Sequence, residues 1–346
     1  MRIRVKVPAS SANLGCGFDA FGLALALYTD FIFDAEAPDA ASMPLVVRGE
    51  GAERLMEEKC SLVYDAIKVY QRATGYRVPA FKLEMESRIP LSRGLGSSAT
   101  AIIGGLVGAD ALCRRAYGGS NFPNREQLVR LATEIEGHPD NVAATLLGGL
   151  TLAVSAPAAA PSFFTASSQP SAGDNPAVEG MRNLDGGPAW RNPVIVSLPI
   201  PNDLTTVVFI PNFEMSTKAA RSVLPETISL QDAAHNSSRT ALFVAAFAAP
   251  NGRLEWLAEA MNDRLHQPYR SQIFPQLPAL IDAAQQAGAF GAALSGAGST
   301  VLAFTCREKA GVVRDAFFKV AGESGLHGRA EQLEIAPGGP SVGYEI

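Results

Sequence analysis

The chain has 346 residues, 47% of them hydrophobic and 18% charged, with 29 basic against 34 acidic side chains and a formal net charge of −5. That length favours two domains, each able to bury its own core without disulfides or metals. The mildly acidic, scattered charge leaves no electrostatic footprint for nucleic acid or for an anionic membrane surface.

Cys16, Cys60, Cys113 and Cys306 lie far apart with no CxxC spacing. Neither a zinc site nor a disulfide framework is expected, which fits a reducing, cytoplasmic setting. Residues 1–8 alternate charged with β-branched side chains and hold no continuous apolar segment, so they read as a strand and not as a signal peptide. The longest apolar runs, 99–109 and 241–250, fall short of a bilayer span, and no membrane anchor is expected.

In chain order, segments 3–7, 23–33, 45–47 and 81–85 are β-rich, while 62–70, 98–117 and 125–136 carry apolar residues at helical spacing. In the last of these, Leu128, Leu131 and Ile135 form one apolar face. Over 155–192 periodicity vanishes and Ala, Ser, Pro and Gly dominate, which predicts an inserted mobile loop unless Phe163, Phe164 and Trp190 dock it on the body. Beyond it, 194–198 and 205–210 read as strands, and 217–224, 230–248 and 254–262 as helices. Segments 290–294 and 300–305 read as strands joined by Ser-Gly-Ala-Gly-Ser, and 307–321 as a helix. The expected organisation is an N-terminal domain over 1–154, an insert over 155–192 and a C-terminal domain over 193–346, two α+β units around a glycine-rich cleft.

Two segments carry chemistry. Pro90-Leu91-Ser92-Arg93-Gly94-Leu95-Gly96-Ser97-Ser98-Ala99 lies between a strand and a long helix. Glycines permit close backbone approach to a polyphosphate, and a helix N-terminus offers unpaired N–H groups and a positive dipole end. The same residues also read as a Ser-capped helix after a tight turn. No GxxxxGK[ST] occurs, so a lysine-dependent NTPase is excluded, and the protein-kinase signature set is absent. In the second segment, Glu136 ends a helix where a carboxylate opposes the macrodipole, and Gly137-His138-Pro139-Asp140-Asn141 follows. A tight turn at Gly137 would gather a hard oxygen ligand for Mg²⁺ beside polar groups for a hydroxyl. The alternative is a pair of solvated glutamates at a frayed helix end.

Pro8-Ala9-Ser10-Ser11-Ala12-Asn13-Leu14-Gly15-Cys16-Gly17-Phe18-Asp19, the Pro90–Ala99 loop, Glu136-Gly137-His138-Pro139-Asp140-Asn141-Val142, Ser216-Thr217-Lys218-Ala219-Ala220-Arg221, Asp263-Arg264-Leu265-His266-Gln267-Pro268-Tyr269-Arg270 and Leu294-Ser295-Gly296-Ala297-Gly298 occur together and in this order. In this the chain resembles the GHMP small-molecule kinases, and within them the branch that phosphorylates L-homoserine on the way to threonine. The resemblance spans nearly everything outside 155–192. It implies an N-terminal domain of the ribosomal protein S5 domain 2-like type and a C-terminal ferredoxin-like domain, with ATP and substrate between them and room for a homodimer.

By that resemblance the loop from Pro90 to Ala99 wraps the triphosphate, and Ser98 with Glu136 holds Mg²⁺. Substrate recognition falls to Asn13, Asp19, His138, Asn141, Thr217, Arg221, Arg270 and Gly296. The chemistry agrees: Asp19 can neutralise an ammonium, Arg221 and Arg270 can grip a carboxylate with directional bonds, and Asn141 can orient a hydroxyl. Taken singly, each has a plainer reading: an Asx turn for Asp19, a surface ion pair for Arg221, a structural histidine for His138. Phosphoryl transfer needs positioning and charge neutralisation more than a strong base. Asn141, where several relatives carry an aspartate, is therefore expected to position the hydroxyl, with Asp140 as the alternative base.

Cys16 stands where proline is common, Ser61 where an asparagine near the nucleotide is usual, and Ser299 where proline follows the turn. A thiol at Cys16 raises the expectation of sensitivity to alkylation. His235, Asn236 and Arg239 also match the family without an assigned role. Two other readings remain: a kinase for another small alcohol such as a mevalonate-type acid, which has no ammonium for Asp19, and a non-catalytic nucleotide- or amino-acid-binding regulator, in which loss of Ser98 or Glu136 would be expected.

Overall fold

The computed structural model describes residues 2–35, 45–154, 193–250 and 252–345, and the 155–192 segment expected as an inserted loop lies outside the described residues. Its strands are β1 (Arg2–Ala12), β2 (Phe21–Asp34), β3 (Val46–Gly49), β4 (Lys82–Ser87), β5 (Leu150–Val154), β6 (Val194–Leu198), β7 (Leu204–Pro211), β8 (Gly291–Leu294), β9 (Val301–Cys306), β10 (Gly328–Leu333) and β11 (Ser341–Glu345).

The first sheet runs β11-β1-β2-β4-β3, with β5 and then β6 added along the other end of β2. In β1 the alternation seen in the sequence is one-sided burial: Ile3, Val5 and Val7 are fully buried while Arg2, Arg4 and Lys6 stay partly exposed. A register shift between Pro8 and Ala9 separates two halves of the β1–β2 ribbon. Phe31 and Phe33 face a core covered by helices Ser61–Thr74, Ser97–Tyr117, Arg125–Glu136 and Asp140–Leu147, whereas Phe21, Leu23 and Leu25 face the second sheet.

Three glycines inside helix Ser97–Tyr117 are poor helix formers, and the packing explains them. A Cβ on Gly104 would lie 2.5 Å from the Phe31 ring, one on Gly105 2.5 Å from Val63 O, and one on Gly108 2.2 Å from the Phe33 ring. Alanine at any of them would overpack the core at about 1–3 kcal/mol.

The second sheet runs β10-β7-β9-β8, all antiparallel. Helices separate β7 from β8 and β9 from β10, which gives the ferredoxin-like connection. Both faces are covered. In β7, Val207 and Phe209 pack on helices Leu277–Gln286 and Ala310–Glu323, while Leu204, Val208 and Ile210 join the core shared with the first sheet and helix Leu230–Ala248. Two-sided burial is why β7 and β9 are mostly apolar without alternation, their threonines Thr205, Thr206 and Thr305 being buried as well.

Several elements differ from expectation. Segments 254–262 and 307–321 each open with a 3₁₀ turn, Leu254–Trp256 and Arg307–Lys309, before the α-helices Leu257–Ala260 and Ala310–Glu323. Strands β5, β10 and β11 and helix Leu277–Gln286 carried no strong periodic signal. Both β6 and β11, which follow residue 192, hydrogen-bond into the first sheet, so that sheet draws on both halves of the chain.

Candidate active site

A cleft of roughly 250 Å³ opens between the two halves. It is lined by Asn13, Asp19, Pro90 through Ser98, Glu136, His138, Asp140, Asn141, Thr217, Arg221, Arg270 and Gly296. Of the residues expected here, Ala99 alone does not line it: the first turn of its helix points Ala99 into the core under the first sheet, with no exposed surface.

The loop before helix Ser97–Tyr117 is held by its carbonyls. Leu95 O accepts from Ser10 N, Ser92 O from Met215 N, Arg93 O from Thr300 N, and Gly94 O from Ser295 Oγ at 2.6 Å. Because C=O and N–H point oppositely within a planar trans peptide, this leaves the N–H groups on the opposite edge of each peptide unit. Gly94 and Gly96 have positive φ, and a Cβ on either would sit 2.1 Å from Ser295 O or Ser10 Oγ respectively. Gly96 is the N-cap and no side chain caps the helix, so the first-turn N–H groups can receive an anion. Arg93 takes another role: its guanidinium donates to Leu91 O, Pro211 O and Asn212 O, tying the loop to the second sheet instead of facing the cleft as a free cation.

Gly137 closes helix Arg125–Glu136 at φ 90°, the tight turn read from the sequence. Ser98 Oγ donates to Glu136 Oε2 at 2.6 Å. Burial pushes the Glu136 carboxyl up, with Ser98 and His138 pulling it back. No lysine or arginine pairs with Glu136 among the described residues. A half-buried carboxylate beside a hydroxyl, with no lysine or arginine partner, is a donor set that fits Mg²⁺.

Asp140, 1% exposed, begins helix Asp140–Leu147. Its Oδ1 lies 2.6 Å from His138 Nδ1 and accepts the Asn141 backbone N–H, also at 2.6 Å. Burial would lower His138, but the bond to Asp140, with the charges of Asp140, Glu136 and Asp19, lifts it to about 9. Ser10 Oγ donates to Asn141 Oδ1 at 2.9 Å and accepts from the buried Thr145 Oγ1 at 3.0 Å. The chain of hydroxyls fixes the amide with its oxygen occupied and its Nδ2 left beside Asp140 and the cleft. Ser10 and Thr145 had no distinguishing signal in the sequence, since a buried hydroxyl reads like any small residue of a strand or helix.

At the opposite wall, Arg221 Nη2 and Nη1 donate to Asp19 Oδ1 and Oδ2 at 2.8 and 3.2 Å. Arg221 comes from helix Thr217–Ser222, so Thr217 stands one turn before it on the same rim. Both partners are about one third exposed or more, so the pair is worth at most about 1 kcal/mol and can be opened. Asn13 is committed to structure: its Oδ1 accepts the Asp19 N–H and its Nδ2 donates to Gly296 O. Arg270 is 2% exposed, and burial, with the nearby charge of Arg221, draws it down to about 10.

Two departures from the family resolve. Ser299 Oγ donates to Phe213 O at 2.7 Å, a bond proline cannot make. Cys16 is 3% exposed, and burial pushes its thiol up to about 12, which overturns the expected alkylation sensitivity because the thiolate is the nucleophile. Iodoacetamide near neutral pH is expected to leave native Cys16 unmodified; peptide mapping that found it among the first alkylated sites would contradict this. Ser61, which departs from the asparagine usual near the nucleotide, lines the cleft with Leu55, Glu58, Val63 and Met85 beyond the Pro90–Ala99 loop.

Comparison with known proteins places this architecture. Residues 61–149 match the GHMP kinases N terminal domain and residues 243–321 the GHMP kinases C terminal domain, the class of small-molecule kinase that fold and cleft define. Homoserine kinase of Synechococcus sp. is 44% identical over the whole of this chain and 99% of its own length, and that of Desulfitobacterium hafniense 37% identical over 98% and 99%. The crystal structure of homoserine kinase from Cytophaga hutchinsonii superposes with a TM-score of 0.74 at 24% identity, covering 99% of this chain and 97% of that one. The chain belongs to the homoserine kinase family. Among the described residues no helix is long and apolar enough to cross a membrane.

Proposed function

We propose that this chain transfers the γ-phosphoryl group of ATP to the side-chain hydroxyl of L-homoserine, in the cytoplasm. One observation carries the reading: a single cleft joins an anion-receiving helix N-terminus, a half-buried carboxylate–hydroxyl pair and a wall bearing one carboxylate and two guanidinium groups. That wall matches a zwitterion, and a mevalonate-like acid would leave Asp19 without an ammonium.

In this reading the loop amides from Ser92 to Ser98 hold the β- and γ-phosphates, and the adenine lies at the end lined by Leu55, Ser61, Val63 and Met85. Ser98 and Glu136 would hold Mg²⁺, which when bound neutralises charge developing on the transferring phosphoryl group. The substrate ammonium takes Asp19 from Arg221, and its carboxylate spans Arg270 and the released Arg221, so one weak exposed pair is exchanged for two charge-assisted contacts. Asn141, with its oxygen held by Ser10, offers Nδ2 to the hydroxyl oxygen and points that oxygen at the phosphorus. Asp140 Oδ1 already serves His138 and a backbone N–H, which supports the orienting role for Asn141 over a base at Asp140. The proton then leaves late, to phosphate or water, as a loose transition state allows.

The test is coupled ADP release with L-homoserine, mevalonate, galactose and no acceptor. Release with homoserine alone is expected, and release with none of them would leave the non-catalytic regulator in its place.

A further inference from the structure

The two cleft arginines are held in opposite ways. Arg221 is already compensated by Asp19. Arg270, although buried, has no carboxylate within ion-pair distance among the described residues. Its Nε donates to Ala220 O at 3.2 Å and its Nη1 to Gly296 O at 3.0 Å, and Nη1 also lies 3.0 Å from His266 Nδ1. Every acceptor is formally neutral, Nη2 has no hydrogen-bond acceptor among the described residues, and Arg270 lines the cleft.

His266 makes this possible. It has no exposed surface, and its Nε2 donates to Gly15 O at 2.8 Å, which selects the tautomer whose Nδ1 lone pair accepts from a guanidinium. Burial pushes His266 down and keeps that lone pair available. The turn that carries the ring is fixed by Asp263, whose Oδ2 accepts the His266 and Gln267 backbone N–H groups and lies 3.5 Å from His266 Nε2, and whose Oδ1 accepts from Leu265 N and Asn236 Nδ2. Asn236 Oδ1 takes Arg264 N. Asn236, left without a role in the sequence, thus ties helix Leu230–Ala248 to the turn that carries His266.

We propose that His266 is a positioning residue that holds Arg270 rigid for the substrate carboxylate without neutralising it. A carboxylate in its place would hold the guanidinium as firmly but cancel the charge that the incoming carboxylate needs. A neutral imidazole supplies direction and leaves the charge whole, and low local polarity strengthens its pull on a ligand. The proposal rests on the homoserine reading given above.

Three variants separate the two ring nitrogens and the charge. His266→Asn keeps an acceptor near Nδ1, His266→Gln keeps a donor near Nε2, and His266→Asp is isosteric with Asn but negative. His266→Asn is expected to hold KM for homoserine close to wild type. His266→Gln should raise it roughly 10- to 100-fold, the loss of a well-made hydrogen bond to a charged group, and His266→Asp by a similar factor because its charge cancels that of the guanidinium, with KM for ATP unchanged in both. With 3-aminopropan-1-ol, which lacks the carboxylate, those penalties should vanish. Equal effects of Asn and Gln, parallel rises in both KM values, or penalties that persist with the amino alcohol would overturn the proposal. Should His266→Asp fail to fold, as judged by Tm, the Asn–Gln comparison decides. Wild-type protein that turns over no homoserine would instead fail the functional reading.

Discussion

Replacing Arg270 by methionine is expected to lower kcat/KM for L-homoserine on the order of a thousandfold, the usual scale for deleting one member of a buried charge pair. KM for ATP should stay near wild type, because the loop from Ser92 to Ser98 is anchored through its own carbonyls, Ser295 and the Arg93 guanidinium, none of which touches Arg270. The same substitution should change Tm little. A guanidinium buried beside Arg221, with only neutral acceptors, is a charge whose burial is opposed by lost hydration, as its depression to about 10 reflects. Relief of that cost offsets the penalty of leaving Ala220 O and His266 Nδ1 without their donor, so the net change in stability is small. Arg270→Lys should fall between, since an ammonium cannot satisfy Ala220 O, Gly296 O and His266 together and still present two N–H groups to a carboxylate. Steady-state kinetics and a melting curve on the two variants check this. A methionine variant with wild-type KM for homoserine would move the carboxylate site to Arg221, and one with a collapsed Tm would make Arg270 a structural residue.

Which parts of this picture the sequence could yield follows from the range of the interactions involved. Helix Arg125–Glu136 and strand β1 were legible because each buries one face, so period alone exposes them. Strand β11 was not, since it pairs along β1 and is mostly exposed, which leaves no alternation to read. Helix Leu277–Gln286 carries a proline in its first turn and has ordinary composition; its reason for being there is the back of the second sheet, more than 60 residues away in sequence at Val207 and Phe209. The glycines of helix Ser97–Tyr117 are poor helix formers, and the partners that account for them, Phe31, Phe33 and Val63, appear only in space.

In the cleft the contrast is sharper. Residue type and motif order brought Asp19, Asn141, Arg221 and Arg270 to attention, yet the division of labour among them depends on hydrogen bonds that cross the chain. Asn13 and Arg93 lie in the motifs and serve to hold other groups. Ser10, Thr145, Asn236 and His266 do the holding for Asn141 and Arg270 across separations such as Ser10 to Asn141 and Arg270 to Gly296. Cys16 is the converse: its position in a site motif implied reactivity, and burial against the helix that carries Thr240 removes it.

The second large effect is expected from Glu136→Gln. Loss of the carboxylate ligand should lower kcat on the order of a thousandfold, the several kcal/mol that a bound divalent ion contributes to transition-state charge neutralisation, while KM for homoserine changes little because the amino acid is held on the other wall. Raising Mg²⁺ should recover part of the loss, since the nucleotide phosphates remain as ligands. Stability should move the other way. Burial holds the Glu136 carboxyl above its usual range, so its contribution favours folding below the unfolded pKa and is lost as pH rises through the higher folded one. At neutral pH the ionised group is therefore a cost to the fold, and glutamine, which keeps an acceptor for Ser98 Oγ, relieves it. Tm of the variant without nucleotide should equal or exceed that of wild type, whereas the rise in Tm on adding ADP with Mg²⁺ should shrink. A kcat near wild type at low Mg²⁺ would remove Glu136 from the metal site. A lower Tm with an undiminished nucleotide shift would mean that the carboxylate serves the helix end and the Gly137 turn, and that some other oxygen of the cleft meets the cation.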